Sequence, residues 1–141
     1  MALSALCMIP DQGAVDDLAG HIALRLGTSI ARLWDVFRVP HRADTPASFH
    51  EASFPGYVPQ AALGWTPPAI NGAGKAETDS RILTWTFTAG VGTARVYGVF
   101  VTDVSGLRLE AVYQFVGGQV VLTPVNPNLT LALQYTGVSE L

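Results

Sequence analysis

Charge is what this sequence has least of. Charged residues fill 13% of its 141 positions, where a globular chain carries about a quarter. A chain so thinly charged has less surface to offer water and points to surface hidden against neighbours. The 8 basic and 11 acidic residues leave a net charge of -3 and contain no run of Lys or Arg long enough to follow a phosphate backbone, so nucleic acid is not expected as a partner. The single cysteine, Cys7, excludes an internal disulfide, and stability must come from packing or from partners. No apolar run approaches the ~20 residues that cross a bilayer. The start, MALSALCMIP, lacks the basic flank and apolar length of a secretory signal. No membrane association is expected, and the length suits one domain with one core.

One stretch has a clear helical period. In IPDQGAVDDLAGHIALRLG the apolar residues Val15, Leu18, Ala19, Ile22 and Leu26 fall on one face. Asp11 after Pro10 is placed to cap the start, Asp16 and Asp17 sit where the helix dipole favours negative charge, and Gly27 is a natural stop. From Ser29 onward the pattern changes to short β-rich runs: SIARLWDVFRV, GYVPQAAL, TPPAI, KAETD, RILTWTFT, TARVYGVFVTD, LRLEAVYQF, QVVLT and NLTLALQYT. The segments NGAG, AGVG, VSG and VGG carry the flexible residues of tight connections.

Alternation within these runs assigns faces. Leu83, Trp85 and Phe87 share one side of their strand and mark the core. The run from Ala94 to Asp103 is apolar on both sides, as expected of a central strand covered twice. The expected fold is therefore mainly β, an antiparallel β-sandwich or barrel-like domain preceded by one N-terminal α-helix. Residues 1–28 form the N-terminal segment and helix packed on the core, residues 29–141 form the β domain, and the whole is one structural domain.

Chemistry is scarce. His21, His41 and His50 show no spacing of a shared metal site. Cys7 lies among apolar residues without a His partner and reads as an inert thiol. NGAGKAET departs from a phosphate loop, since Ala69 and Ala76 stand where the motif needs Gly and Ser or Thr. Asn128, Leu129 and Thr130 form a sequon that arises often by chance. The carboxylates Glu51, Glu77, Asp79, Asp103 and Glu110 are spread over turns and strands and are expected on solvated faces. Trp34 and Trp65 offer rings for a sugar platform, which gives a carbohydrate-binding module as an alternative class, although tryptophans at strand positions more often serve the core. No catalytic residue, metal or cofactor is expected, and the chain is not read as an enzyme.

The stretch FHEASFPGYVPQ resists this scheme, because it joins turn residues to the rings Phe49, Phe54 and Tyr57. A chain bent at Pro55 and Gly56 can press those rings into a sheet edge as a latch, with GYVPQ continuing as an edge strand that Pro59 protects from uncontrolled pairing. The alternative is a clamp on a neighbouring subunit, made together with the linker RVPHRADTPAS.

The succession ARLWDVF, EASFPGY, LTWTFT, VYGVFVTD and LTLALQYTG resembles a group of small structural proteins of tailed bacteriophages, over nearly the whole chain and in order. The long linker departs from the group. The resemblance implies a non-enzymatic virion protein, a capsid cement or decoration (minor capsid) protein, or else a tail, neck or baseplate component. It implies the major capsid protein or other virion proteins as partners, a homo-oligomer (dimer or trimer), and location in the particle after synthesis in the bacterial host cytoplasm. The expected contact or latch residues are Phe49, Phe54, Tyr57, Val39, His41 and Arg42, with Leu3 and Leu6 of the apolar N-terminus.

Overall fold

The computed structural model describes residues 11–136. The fold is mainly β and antiparallel, with one N-terminal helix. After helix α1 (Asp11–Leu24) come β1 (Ile30–Trp34), β2 (Ala69–Ile70), β3 (Ala76–Asp79), β4 (Leu83–Thr86) and β5 (Ala94–Val96). These are followed by β6 (Gly98–Thr102), β7 (Leu109–Gln114), β8 (Val120–Leu122), β9 (Asn128–Leu131) and β10 (Gln134–Thr136). The chain divides into two compact units, the first of Met1–Gly27, Gly64–Arg81 and Ala132–Leu141, the second of Thr28–Leu63 and Ile82–Leu131.

In the first unit, Val15, Leu18 and Ile22 of α1 pack against Ile70, Ala76 and Tyr135, on a sheet of order β10-β3-β2. The predicted face is thus the packed one, except that Ala19 is exposed. The segment NGAG is a true reversal between β2 and β3. Asn71 Oδ1 accepts from the amides of Ala73 and Lys75 at 2.9 and 3.0 Å, which fixes the turn through a side chain that mimics backbone.

The second unit is built on a long ribbon. Antiparallel pairing joins β4 to β9, β5 to β8 and β6 to β7, so residues 83–102 and 109–131 run beside each other and reverse once, at 103–108. Asp103 closes the reversal: its carboxylate accepts from Ser105 Oγ and from the amides of Leu107 and Arg108. Those donors, led by the Arg108 amide, hold the carboxyl below the usual carboxylate range. AGVG and VGG do not reverse the chain. They lie within the ribbon, where it bulges between paired stretches, with Gly92, Gly117 and Gly118 at φ of 87°, 91° and 92°. Glycines at positive φ serve such an excursion as well as a reversal, which is why these segments look like turns in the sequence.

Two expected strands are also split. TARVYGVFVTD breaks at Tyr97 into β5 and β6, and NLTLALQYT breaks after Leu131 into β9 and β10, which pair with different partners. β6 is the central strand of the order β1-β6-β7 and is buried at all of its positions, as its two apolar faces require. Trp34 lies fully buried against Phe49 and Phe100, at ring separations of 4.9 and 6.5 Å. Gly98 makes room for it, since a Cβ there would run into the Trp34 indole and the Tyr113 carbonyl oxygen.

Gly98→Ala is expected to lower stability by about 1–3 kcal/mol through overpacking. Gly20→Ala, in α1 with open space around it, is expected to raise stability by about 0.4–1 kcal/mol. Urea unfolding of both variants checks the pair. Equal effects would contradict the packing described.

Candidate functional site

β1 has β6 on one side, and on the other it would present an open edge. Residues 49–60 run antiparallel along that edge. Asp35 N–H donates to the His50 carbonyl at 3.0 Å, Ala52 N–H to the Leu33 carbonyl at 2.9 Å, and Ala31 and Gln60 exchange both bonds at 2.8 and 2.9 Å. Between Ala52 and Gln60 the chain leaves the edge. The expected strand GYVPQAAL is accordingly reduced to one bridge, Ala31 to Gln60, because Pro55 and Pro59 have no amide to donate and Gly56 turns the chain at φ 90°.

That departure would leave the Leu33 amide without an acceptor. The Tyr57 hydroxyl takes the place of the missing carbonyl, accepting from Leu33 N–H at 3.1 Å. It donates in turn to Glu51 Oε2 at 2.7 Å. Glu51 also receives Arg32 Nη1 on Oε1 and Oε2 at 3.1 and 3.2 Å, and Arg32 Nε donates to Thr102 Oγ1 at 3.1 Å. One line of hydrogen bonds therefore ties the 49–60 stretch through β1 to β6. Burial first, and the Glu51 carboxylate second, push the Tyr57 phenol far above its ordinary range and keep it neutral.

The three rings of the stretch pack inside their own unit. Phe49 is 6% exposed and stacks on Phe100 at 5.1 Å. Phe54 meets Tyr57 at 5.3 Å and Phe87 at 6.1 Å. Gly56 presses so closely on β4 that an added Cβ would collide with the Thr86 carbonyl oxygen and the Thr88 side chain.

The segment read as a linker, RVPHRADTPAS, is a folded loop. Arg38 pairs with Asp44 through Nη2 and, at 3.2 Å, through Nε, and its guanidinium lies 5.8 Å from the centre of the Phe49 ring. Asp44 also accepts from His41 N–H at 2.7 Å. The Arg38 guanidinium and then the His41 amide hold the Asp44 carboxyl below its usual range. Val36 and Phe37 just before this loop, and Val39 within it, are 55%, 61% and 63% exposed. Only Val39 was expected as a contact. Phe37 touches Tyr97 edge-on at 5.8 Å and leaves the rest of its ring open. His41 and Arg42 are exposed as well. Leu3 and Leu6 lie outside the described residues, as does Cys7.

Several expectations about polar groups and rings need correction. Glu51, Glu77 and Asp103 are bound rather than merely solvated: Glu77 accepts from Asn71 Nδ2 and Gln134 Nε2 at 2.8 and 2.9 Å. Trp34 is fully buried and offers no sugar platform. Trp65 donates its indole N–H to the Leu26 carbonyl at 3.0 Å and stands against Tyr135. His50 pairs with Asp35, and among the described residues no three potential metal ligands gather. The Arg32–Glu51–Tyr57 line was missed. Its one sequence signal was a cation inside the apolar strand IARLW.

Tyr57→Phe keeps the ring but strands the Leu33 amide, and is expected to cost about 1–3 kcal/mol in urea unfolding. A phenol whose pKa is raised on folding keeps its proton after the unfolded chain has lost it. Its contribution is therefore complete below the ordinary phenol pKa of about 10 and declines as pH rises above that value. The wild-type chain should lose stability more steeply above that pH than Tyr57→Phe, and parallel profiles would exclude a buried neutral Tyr57.

No family model, no curated protein and no solved structure matches this chain.

Proposed function

We propose that the chain is a non-enzymatic structural component of a tailed-phage particle, a capsid cement or decoration protein that stabilises the shell through subunit contacts. A tail, neck or baseplate part is the nearest alternative. The observation that carries this reading is the set of exposed apolar residues Val36, Phe37 and Val39, close in sequence on either side of Arg38, where the chain is held by the Arg38–Asp44 pair. Large apolar side chains grouped in this way are costly to leave in water and favour a partner surface. The loop is already ordered, so little conformational entropy is lost on docking. The thin charge of the chain and the resemblance of its motif order to that of small virion proteins support the same reading. The partner is the major capsid protein. Contacts of about 800 Å² per partner, repeated by symmetry, would stabilise a shell without chemistry.

The purified chain is expected to co-sediment with empty shells of the major capsid protein of the same phage genome and to raise their melting temperature. The double variant Phe37→Ser, Val39→Asp should keep its fold by circular dichroism and lose that binding at least tenfold, or about 1.4 kcal/mol. A wild-type chain that light scattering shows to be a monomer, and that leaves shells unchanged, would overturn the cement reading.

A further inference from the structure

A cleft of about 370 Å³ opens beside β1 and β6, with the 103–108 reversal on one side and the turn at Pro46–Ser48 on the other. Its size lies within the span of small-molecule sites, about 300–1,000 Å³. Two chemistries line it. Pro46 and Ala47, with the edges of the buried pair Phe49 and Phe100 beneath them, make an apolar wall, and Arg32 and Glu51 make a polar one.

The polar wall is fixed and incompletely used. Arg32 commits Nε to Thr102 and Nη1 to Glu51, while its Nη2 meets no acceptor among the described residues. Gly106, at φ 77°, lies beside that nitrogen, and a Cβ added there would stand in contact with it at 3.7 Å, so the missing side chain leaves the nitrogen less covered. On Glu51, Oε2 accepts from both Arg32 and Tyr57, but Oε1 accepts from Arg32 alone. A free donor and an acceptor with a spare lone pair thus stand on adjacent side chains. Their rotamers are held by bonds to β6 and to the 49–60 stretch.

The charges decide the class of ligand. Arg32 and Glu51 neutralise each other, and the Asp103 carboxylate lies in the reversal that borders the cleft. An anion gains little there. A neutral molecule with neighbouring hydroxyl groups fits both unused positions and can lay C–H groups on the apolar wall. We propose that this cleft binds a single neutral sugar residue. One hydroxyl accepts from Arg32 Nη2, an adjacent hydroxyl donates to Glu51 Oε1, and the ring face lies along Pro46 and Ala47, above the buried Phe49 and Phe100. The tryptophans expected from the sequence take no part. The site shares no residue with Val36, Phe37 and Val39, so failure here and failure of the particle reading are separable.

The test is a titration of the ¹⁵N-labelled full chain with methyl glycosides of glucose, galactose, mannose and N-acetylglucosamine, following the Ala47, Ser105 and Gly106 amides by NMR. Acetate and inorganic phosphate form a parallel anionic arm. At least one glycoside is expected to give saturable shifts confined to the cleft, with millimolar affinity. Ala47→Trp changes an exposed residue outside the Arg32 bonds and fills the cleft, and should abolish the shifts while leaving the remaining spectrum intact. Arg32→Lys keeps the charge but loses the fork, and should weaken binding at least tenfold. The proposal is overturned if no glycoside saturates the shifts up to its solubility limit. It is equally overturned if acetate or phosphate saturates them and the sugars do not, or if sugar binding survives in Ala47→Trp.

Discussion

The second unit depends on how the open edge of β1 is closed. A strand edge is a row of amides and carbonyls that needs partners, and an amide buried without one costs about 1–3 kcal/mol. The 49–60 stretch supplies backbone partners at His50, Ala52 and Gln60 and fails at Leu33, where the chain swings away. Tyr57 fills that gap with its hydroxyl. Because a phenol is donor and acceptor at once, the repair is passed on to Glu51, and from Glu51 to Arg32 and Thr102. Removing Tyr57 strands the buried Leu33 amide, and the members share acceptors and donors, so the line is a coupled network.

The rings of the stretch follow from the same constraint. A segment held by only a few backbone bonds needs packing to stay in place, and Phe49, Phe54 and Tyr57 provide it against Phe100, Trp34 and Phe87. Proline and glycine shape the path and rings anchor it, which is why turn chemistry and aromatics occur together there. The adjoining loop is the reverse case. Arg38, Asp44 and His41 fix its backbone, and its apolar residues Val36, Phe37 and Val39 are left outside. Order in the backbone with apolar groups exposed is the combination expected of a prepared contact surface. The cleft beside Arg32 has a different origin, in side chains whose bonds to the fold leave a donor and an acceptor partly free.

Features with a local period were readable before any coordinates. α1 shows its packed face in the spacing of Val15, Leu18 and Ile22, and the double burial of β6 shows in the apolar residues on both sides of its run. Neighbouring residues carry such information because the pitch of a helix and the pleat of a strand relate residues close in sequence. The glycines were ambiguous. Gly92, Gly117 and Gly118 signal positive φ, but whether the chain then reverses or bulges is decided by the strand lying opposite.

Composition and period alone account for the β-rich chain with one amphipathic helix, for the core side of β4, and for the need to bury rings near Pro55 and Gly56. Long-range pairing supplied the rest. It joined β4 through β9 into one ribbon, sent β9 and β10 to different partners, and gathered the first unit from three separated stretches of chain. It also brought Arg32, Glu51, Tyr57 and Thr102 together across up to 70 positions. The physical reason is that a polar group takes whichever partner the folded backbone places within about 3 Å. No spacing along the sequence records that partner.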